Sequence, residues 1–250
     1  MVPVNIYDKV VLEKQSKGIT LTGSSNNEEI QWDNTNLAYK AAEIFFDKTK
    51  IRPGVKINIK KNIPAGGGLG GGSSNAASVI EGLNLLYGNI LTKKEMILHS
   101  VTIGADVPFF LYHSNALIKG IGDIIKPANY KIPRWYIIWC PNVHCNTGEI
   151  YKEYDNLTKL PETNKIKIKK KVNFGENDLE KAVFKKYPDL FEKIKVFRNI
   201  KNINFYGLSG SGSCWYVNFK TKYDRDTNFI ELNKVLDGNL IKTESICLGG

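Results

Sequence analysis

Cysteine, histidine and methionine are scarce in this chain of 250 residues, with four, three and two copies respectively. Cys140, Cys145, Cys214 and Cys247 show no C-x-x-C spacing and have no clustered histidines beside them. That argues against a zinc site or a disulfide framework and fits a reducing compartment. His99, His113 and His144 are scattered and fit no motif. No apolar run approaches the roughly 20 residues that span a bilayer, and the first residues do not read as a signal peptide. The expected setting is cytoplasmic, or a plastid-type organelle in a eukaryotic source. No internal repeat is visible.

The length suits one large or two modest domains. The hydrophobic share of 42% is enough for an ordinary core. Formal net charge is +10, which suits an anionic partner such as a phosphorylated small molecule or a nucleic acid. The lysines are dispersed, however, and no nucleic-acid recognition motif accompanies them. The expected partner is a small molecule, with no nucleic acid, no membrane, and a monomer or weak homodimer as the assembly.

What the chain has in excess is glycine at one place. Gly66, Gly67, Gly68, Gly70, Gly71 and Gly72 fall within seven residues, interrupted only by Leu69. Ordering such a run is entropically costly. Val55, Ile57 and Ile59 alternate with Lys56, Asn58 and Lys60 just before it, which predicts a half-buried strand. Ser73-Ser74-Asn75 follows as a helix start signal. Ala76, Val79, Ile80, Leu83, Leu86 and Tyr87 then share one helical face. A glycine loop feeding a helix N-terminus gathers backbone N–H groups around one point, where the helix dipole also favours negative charge. The run therefore predicts a phosphate cradle. It lacks the Gly-Lys-Ser/Thr ending of a P-loop. It also lacks the acidic residue that should close a following strand in a dinucleotide fold.

Elsewhere the patterning predicts a strand over 4–14, a helix from Thr35 to Phe46, and a helix opened by the capping box Thr92-Lys-Lys-Glu95. A strand is expected at Trp135–Trp139 and a polar connector or edge strand over 157–173. A helix should begin at Asn177–Glu180 and be broken or restarted at Pro188. A second glycine loop, Ser209-Gly-Ser-Gly-Ser213, precedes a strand at Cys214–Phe219. A helix near 226–236 and a last strand follow. The fold class is α+β, with a domain boundary near Pro141 giving lobes 1–141 and 142–250.

The string from Ile63-Pro64 through Gly66–Gly72 to Ser73-Ser74-Asn75-Ala76-Ala77 resembles the second motif of the GHMP kinases. Two further blocks agree in order and spacing. One is Ile103-Gly-Ala-Asp106-Val-Pro-Phe-Phe110 with Gly120-Ile-Gly-Asp123. The other is Leu208-Ser-Gly-Ser-Gly-Ser213. Asn36-Leu37 and Asn177-Asp178-Leu179 also match. The triple glycines and the Gly-Ala-Asp-Val-Pro block resemble the branch of that family acting on 4-diphosphocytidyl-2-C-methyl-D-erythritol in non-mevalonate isoprenoid biosynthesis.

The resemblance implies a two-lobed kinase with an S5-like N-terminal lobe, a ferredoxin-like C-terminal lobe, and ATP and substrate meeting in the cleft. It implies ATP and Mg²⁺ as cofactors, with metal ligands left unassigned. Asp106 would be the catalytic base. Gly66, Gly67, Gly68, Gly70, Gly71, Gly72, Ser73 and Ser74 would hold the nucleotide's phosphates, with Ser74 also reaching a phosphate or Mg²⁺. Asn36 and Lys61 would complete the nucleotide site. Phe174 would stack on the cytosine, and Gly210, Ser211 and Gly212 would lie against the substrate and the first loop. The bland alternatives are N-caps for Asn36 and the serines, a solvated Lys61, and core packing for Phe174.

The chain departs from the family at its beginning. The family's Pro-Ala-Lys-x-Asn strand and Asp-Gly-Tyr-His segment have no counterpart in it. The expected consequences are an exposed sheet edge, a catalytic Asp without a neighbouring lysine, and ATP binding better preserved than turnover. Another GHMP small-molecule kinase, or an ATP-binding remnant, stand as alternative readings.

Overall fold

The computed structural model describes residues 1–25, 30–52, 54–119, 124–128, 132–158 and 174–246. Contacts divide it into two units. The first comprises Met1–Ala65, Gly70–Ile132 and the chain from Ile246; the second comprises Gly66–Leu69 and Pro133–Ser245.

In the first unit, β1 (Lys9–Gln15) and β2 (Ile19–Ser24) are followed by α1 (Leu37–Thr49) and β3 (Gly54–Lys60). β3 enters between the first two strands, antiparallel to β1 and parallel to β2, so that β1 and β2 form the sheet's edges. The alternation in β3 places Val55, Ile57 and Ile59 in the core and leaves the polar residues outside. Helix α2 (Gly71–Leu86) packs on α1 and on this sheet. Ala38, Ala41 and Ala42 of α1 and Ala76, Val79, Ile80 and Leu83 of α2 are all buried; small side chains let the two backbones approach. Helices α3 (Lys93–Ser100) and α4 (Val107–Tyr112) and a hairpin of β4 (Ala116–Lys119) and β5 (Ile124–Pro127) complete the unit. The capping box expected at Thr92 and Glu95 is present in both directions.

The second unit runs β6 (Trp135–Cys140), α5 (Thr147–Thr158), α6 (Glu180–Lys186), α7 (Pro188–Ile194), a 3₁₀ turn Lys195–Asn199, β7 (Ile203–Leu208), β8 (Trp215–Phe219), α8 (Lys222–Val235) and β9 (Asn239–Glu244). Its four strands are antiparallel in the order β7-β8-β6-β9. That is the split β-α-β arrangement of a ferredoxin-like lobe, and the two units together make the α+β fold expected. Alternate residues Ile137 and Trp139 of β6, and Trp215, Val217 and Phe219 of β8, face one core with Ile150, Val183, Leu190 and Phe197 from the helices. Pro188 ends α6 and restarts the chain as α7.

Three sequence expectations change. Ser73 and Ser74 do not cap α2: the helix begins two residues earlier, inside the glycine run, with Gly70 as N-cap at φ 71°. Glycine can adopt that left-handed geometry without a side-chain clash, which lets the run itself open the helix. The strand β2, the β4–β5 hairpin and α5 were not anticipated: the strands are only four to six residues long, and α5, though amphipathic, fully buries only Ile150. Cys140 and Cys214, 74 residues apart, are joined in a disulfide; the antiparallel pairing Trp139↔Trp215 sets them opposite one another one rung further on, which sequence spacing cannot reveal. Cys145 is free and buried. Gly120–Asp123, Cys247 and nearly all of the lysine-rich 157–173 stretch lie outside the described residues.

Candidate active site

Strand β3 ends at Lys60, and the next residues are anchored by Asp8, ahead of β1. The Asp8 carboxylate accepts from the backbone N–H groups of Asn62 at 2.6 Å and Ile63 at 2.8 Å. It also forms a close ion pair with Lys61, whose side chain is 7% exposed against 2% for Asp8. Lys61 is therefore no solvated surface lysine. Its ammonium reaches the start of α2: a Cβ built on Gly71 would lie 3.1 Å from Lys61 Nζ. A fixed cation thus stands beside the N–H groups of Gly71, Gly72 and Ser73, which precede the first intrahelical bond, Ser74 N–H to Gly70 O at 2.9 Å. This combination of cation, orphan donors and helix dipole is a chemistry for anions. Ser74 Oγ donates to Gly71 O at 2.9 Å, so its hydroxyl closes the first turn.

Asn36 is the N-cap of α1: its side-chain oxygen accepts from Ala38 N–H at 3.0 Å, and its amide donates to Gln31 O at 2.8 Å. Asp106 sits at the N-cap position of α4 and makes no side-chain capping bond. Its carboxyl is pushed above the usual aspartate range, chiefly by desolvation, and the Met1 ammonium pulls part of that back. The same ammonium donates to Ala116 O at 2.7 Å.

Within the second unit, Gly66–Leu69 is docked against the other glycine loop. Cys214 N–H donates to Gly67 O at 3.1 Å, and Ser209 Oγ donates to Gly68 O at 3.0 Å. The approach is too close for side chains: a Cβ on Gly67 would lie 2.2 Å from Cys214 Sγ, and one on Gly68 2.1 Å from Ser209 O. Gly68 has φ 74° and Gly210 φ 54°, and the two lie against one another, with a Gly210 Cβ only 3.0 Å from Gly68 O. Gly210 and Gly212 both lie against the first loop, since a Cβ on Gly68 would also come within 3.1 Å of Gly212 O, while the open side of Gly212 (φ 87°) faces Leu208 and Cys145. Ser211 is buried and its hydroxyl meets that of Thr147 at 2.8 Å. Asn177, a match noted without a role, fastens this loop: its amide donates to Leu208 O at 3.0 Å and to Gly210 O at 2.8 Å, while its oxygen accepts from Leu179 N–H. Phe174 is 40% exposed and stacks on Phe205.

The residues the sequence singled out therefore form several groups. Lys61 and the α2 N-terminus form one in the first unit, which also holds Asn36 and Asp106. Gly66–Gly68, Gly210 and Asn177 form another in the second, with Phe174 on its own aromatic support. Sequence reasoning missed Asp8, Thr147 and Phe205. Asp8 carried no motif signal, because its partners lie more than fifty residues away in the chain. Among the described residues no group of three or more His, Cys, Asp or Glu side chains is arranged to hold a metal ion. None of their helices is long and apolar enough to cross a membrane.

The GHMP kinases N terminal domain family matches residues 36–114. A 4-diphosphocytidyl-2-C-methyl-D-erythritol kinase of Persephonella marina is 38% identical, over 84% of this chain and 77% of its own length. A solved 4-(cytidine 5'-diphospho)-2C-methyl-D-erythritol kinase is 26% identical, with a TM-score of 0.73 over 100% of this chain and 89% of its own. Homoserine kinase from Cytophaga hutchinsonii shares the fold, at a TM-score of 0.79 and 15% identity over 100% and 89%. The glycine-opened helix, the buried lysine beside it and this similarity along most of the chain place the protein in the 4-diphosphocytidyl-2-C-methyl-D-erythritol kinase family of the GHMP kinases.

Proposed function

We propose that this chain transfers the γ-phosphoryl group of ATP to the 2-hydroxyl of 4-diphosphocytidyl-2-C-methyl-D-erythritol. The observation that carries the reading is the start of α2, where a left-handed Gly70, side-chain-free Gly71 and Gly72, and the Lys61 ammonium converge in a chain of this family. Phosphoryl transfer asks little covalent chemistry of a protein; it asks for positioning and for charge where the phosphates sit. Gly66–Gly72, Ser73 and Ser74 bind the triphosphate, Lys61 neutralises part of its charge, and Asn36 borders the nucleotide. Mg²⁺ bound with the nucleotide supplies further neutralisation of the phosphate oxygens.

Asp106 is the base. It holds the proton of the substrate hydroxyl as the new O–P bond forms and the bond to the departing ADP oxygen breaks. A desolvated carboxylate suits this, because its raised pKa makes it a stronger proton acceptor. Phe174 stacks on the cytosine, and Gly210, Ser211 and Gly212 line the substrate side. The assembly proposed is a monomer or weak homodimer.

The test is turnover of radiolabelled ATP with the cytidyl substrate, homoserine and mevalonate in parallel. Label transfer to the cytidyl substrate alone is expected. Transfer to homoserine or mevalonate instead would overturn the substrate assignment while leaving a kinase.

A further inference from the structure

Strand β7 is not regular. Its register against β8 slips between Ile203 and Phe205, Ile203 facing Phe219 and Phe205 facing Asn218. In an unbroken strand Ile203 and Phe205 would point to the same side. Here Ile203, Tyr206 and Leu208 pack on the helix-covered core, and Phe205 does not. A bulge bends a strand and re-aims a side chain; this one turns Phe205 onto the opposite face of the sheet.

What Phe205 meets there is built on purpose-like terms of geometry. Its ring is fixed by edge contacts to Tyr136 at 6.5 Å and Tyr216 at 6.2 Å, and these two tyrosines also contact each other at 6.4 Å. Phe174 lies flat on Phe205, ring centroids 5.1 Å apart and planes 12° from parallel. The next residue is tied to the same platform. A Cβ on Gly207 of β7 would lie 2.6 Å from Gly175 O and 2.9 Å from the Tyr216 hydroxyl oxygen, so both crowd the same point of the strand. Gly175 has φ 89°, and a Cβ there would lie 2.6 Å from Tyr206 O. The backbone at 174–175 is therefore pressed onto β7, and Phe174 is 40% exposed above it. An exposed aromatic ring held at a fixed height is a surface on which bases stack well.

We infer that Phe205, aimed by the bulge, is a positioning residue that sets the plane and height of Phe174 for stacking on the substrate's pyrimidine base. The inference rests on the substrate reading above. Phe205 acts through Phe174, so its removal should weaken base binding without touching the phosphoryl donor.

The test uses the full chain and cytidine diphosphate as the probe, with binding measured by calorimetry alongside steady-state kinetics. Phe174→Ala and Phe205→Leu are each expected to weaken cytidine diphosphate binding about fivefold or more, the range of one lost base–aromatic stack. KM for the cytidyl substrate rises in step. In Phe205→Leu, kcat and KM for ATP stay unchanged although the thermal midpoint falls with the lost ring contacts, and Phe205→Tyr restores both binding and midpoint. If Phe205→Leu unfolds, Phe205→Met, closer in volume, is read in the same way. If Phe174→Ala weakens binding and Phe205→Leu does not, the inference falls while the substrate reading stands. It also falls if Phe205→Leu weakens cytidine diphosphate and ATP alike, since that is a general structural effect. If the wild type neither binds cytidine diphosphate nor uses the cytidyl substrate, the inference and the substrate reading fall together.

Discussion

An ammonium and a carboxylate that share a buried position depend on each other. Removing one partner of such a pair strands the other, at a cost of about 3–5 kcal/mol. Lys61→Met should therefore lower the urea midpoint markedly, even though Asp8 keeps its bonds from Asn62 and Ile63. It should also weaken ATP binding; a variant that binds ATP normally would remove Lys61 from the nucleotide site. Asp106 makes a different prediction, since it must be ionised to accept a proton. Its pKa is raised by desolvation, so kcat should climb as pH rises through a value above the ordinary aspartate range. Asp106→Asn should abolish turnover and leave ATP binding intact. An acid limb at the ordinary carboxylate position, measured as kcat against pH, would count against Asp106 as the titrating base.

At the scale of elements, the loop from Gly66 to Gly72 contains glycines of two kinds. Gly68 is required by its surroundings: its φ is 74°, and a Cβ would strike Ser209 O at 2.1 Å. Gly68→Ala should disturb the contact between the two glycine loops and lower stability. Gly72 is helical, and its built Cβ meets nothing nearer than Leu37 at 3.6 Å. Gly72→Ala should leave stability unchanged or raise it by up to about 1 kcal/mol. Its cost should appear only in KM for ATP, because the added methyl stands where a phosphate needs bare backbone. Unchanged ATP kinetics in that variant would move the cradle elsewhere. The sequence made these elements legible where periodicity was strong. β3 and α2 announce themselves through Val55, Ile57 and Ile59 and through Val79, Ile80 and Leu83. The start of α2 was misplaced because Ser73 and Ser74 look like caps, and only the backbone geometry of Gly70 shows that the helix has already begun.

At the scale of the molecule, each unit has its own core, and the disulfide belongs to the second. Three of the four tryptophans, Trp135, Trp139 and Trp215, lie in that unit as well. Closing a loop between residues 74 apart restricts the unfolded chain by about 4 kcal/mol. Denaturation followed by tryptophan fluorescence should thus shift to lower denaturant in a phosphine reductant, and Cys140→Ser should reproduce the shift without reductant. A transition indifferent to both would mean the bond does not constrain the chain in solution. Cys145 should stay unreactive in the native state, its thiol pushed up to about 11 by burial and so protonated at neutral pH; slow labelling that quickens only on unfolding is the check.

The sequence by itself determined the family and the chemistry it brings. Glycine runs, a capping box and alternating strands are local codes, read within a few residues, and their order along the chain survives without any coordinates. The tertiary structure alone decided what meets across distance: Lys61 with Asp8, Cys140 with Cys214, Gly68 with Ser209, and Phe205 under Phe174. Those contacts depend on strand register and on one bulge. A single-residue shift in either turns side chains to the opposite face of a sheet, and no local pattern in the sequence fixes it.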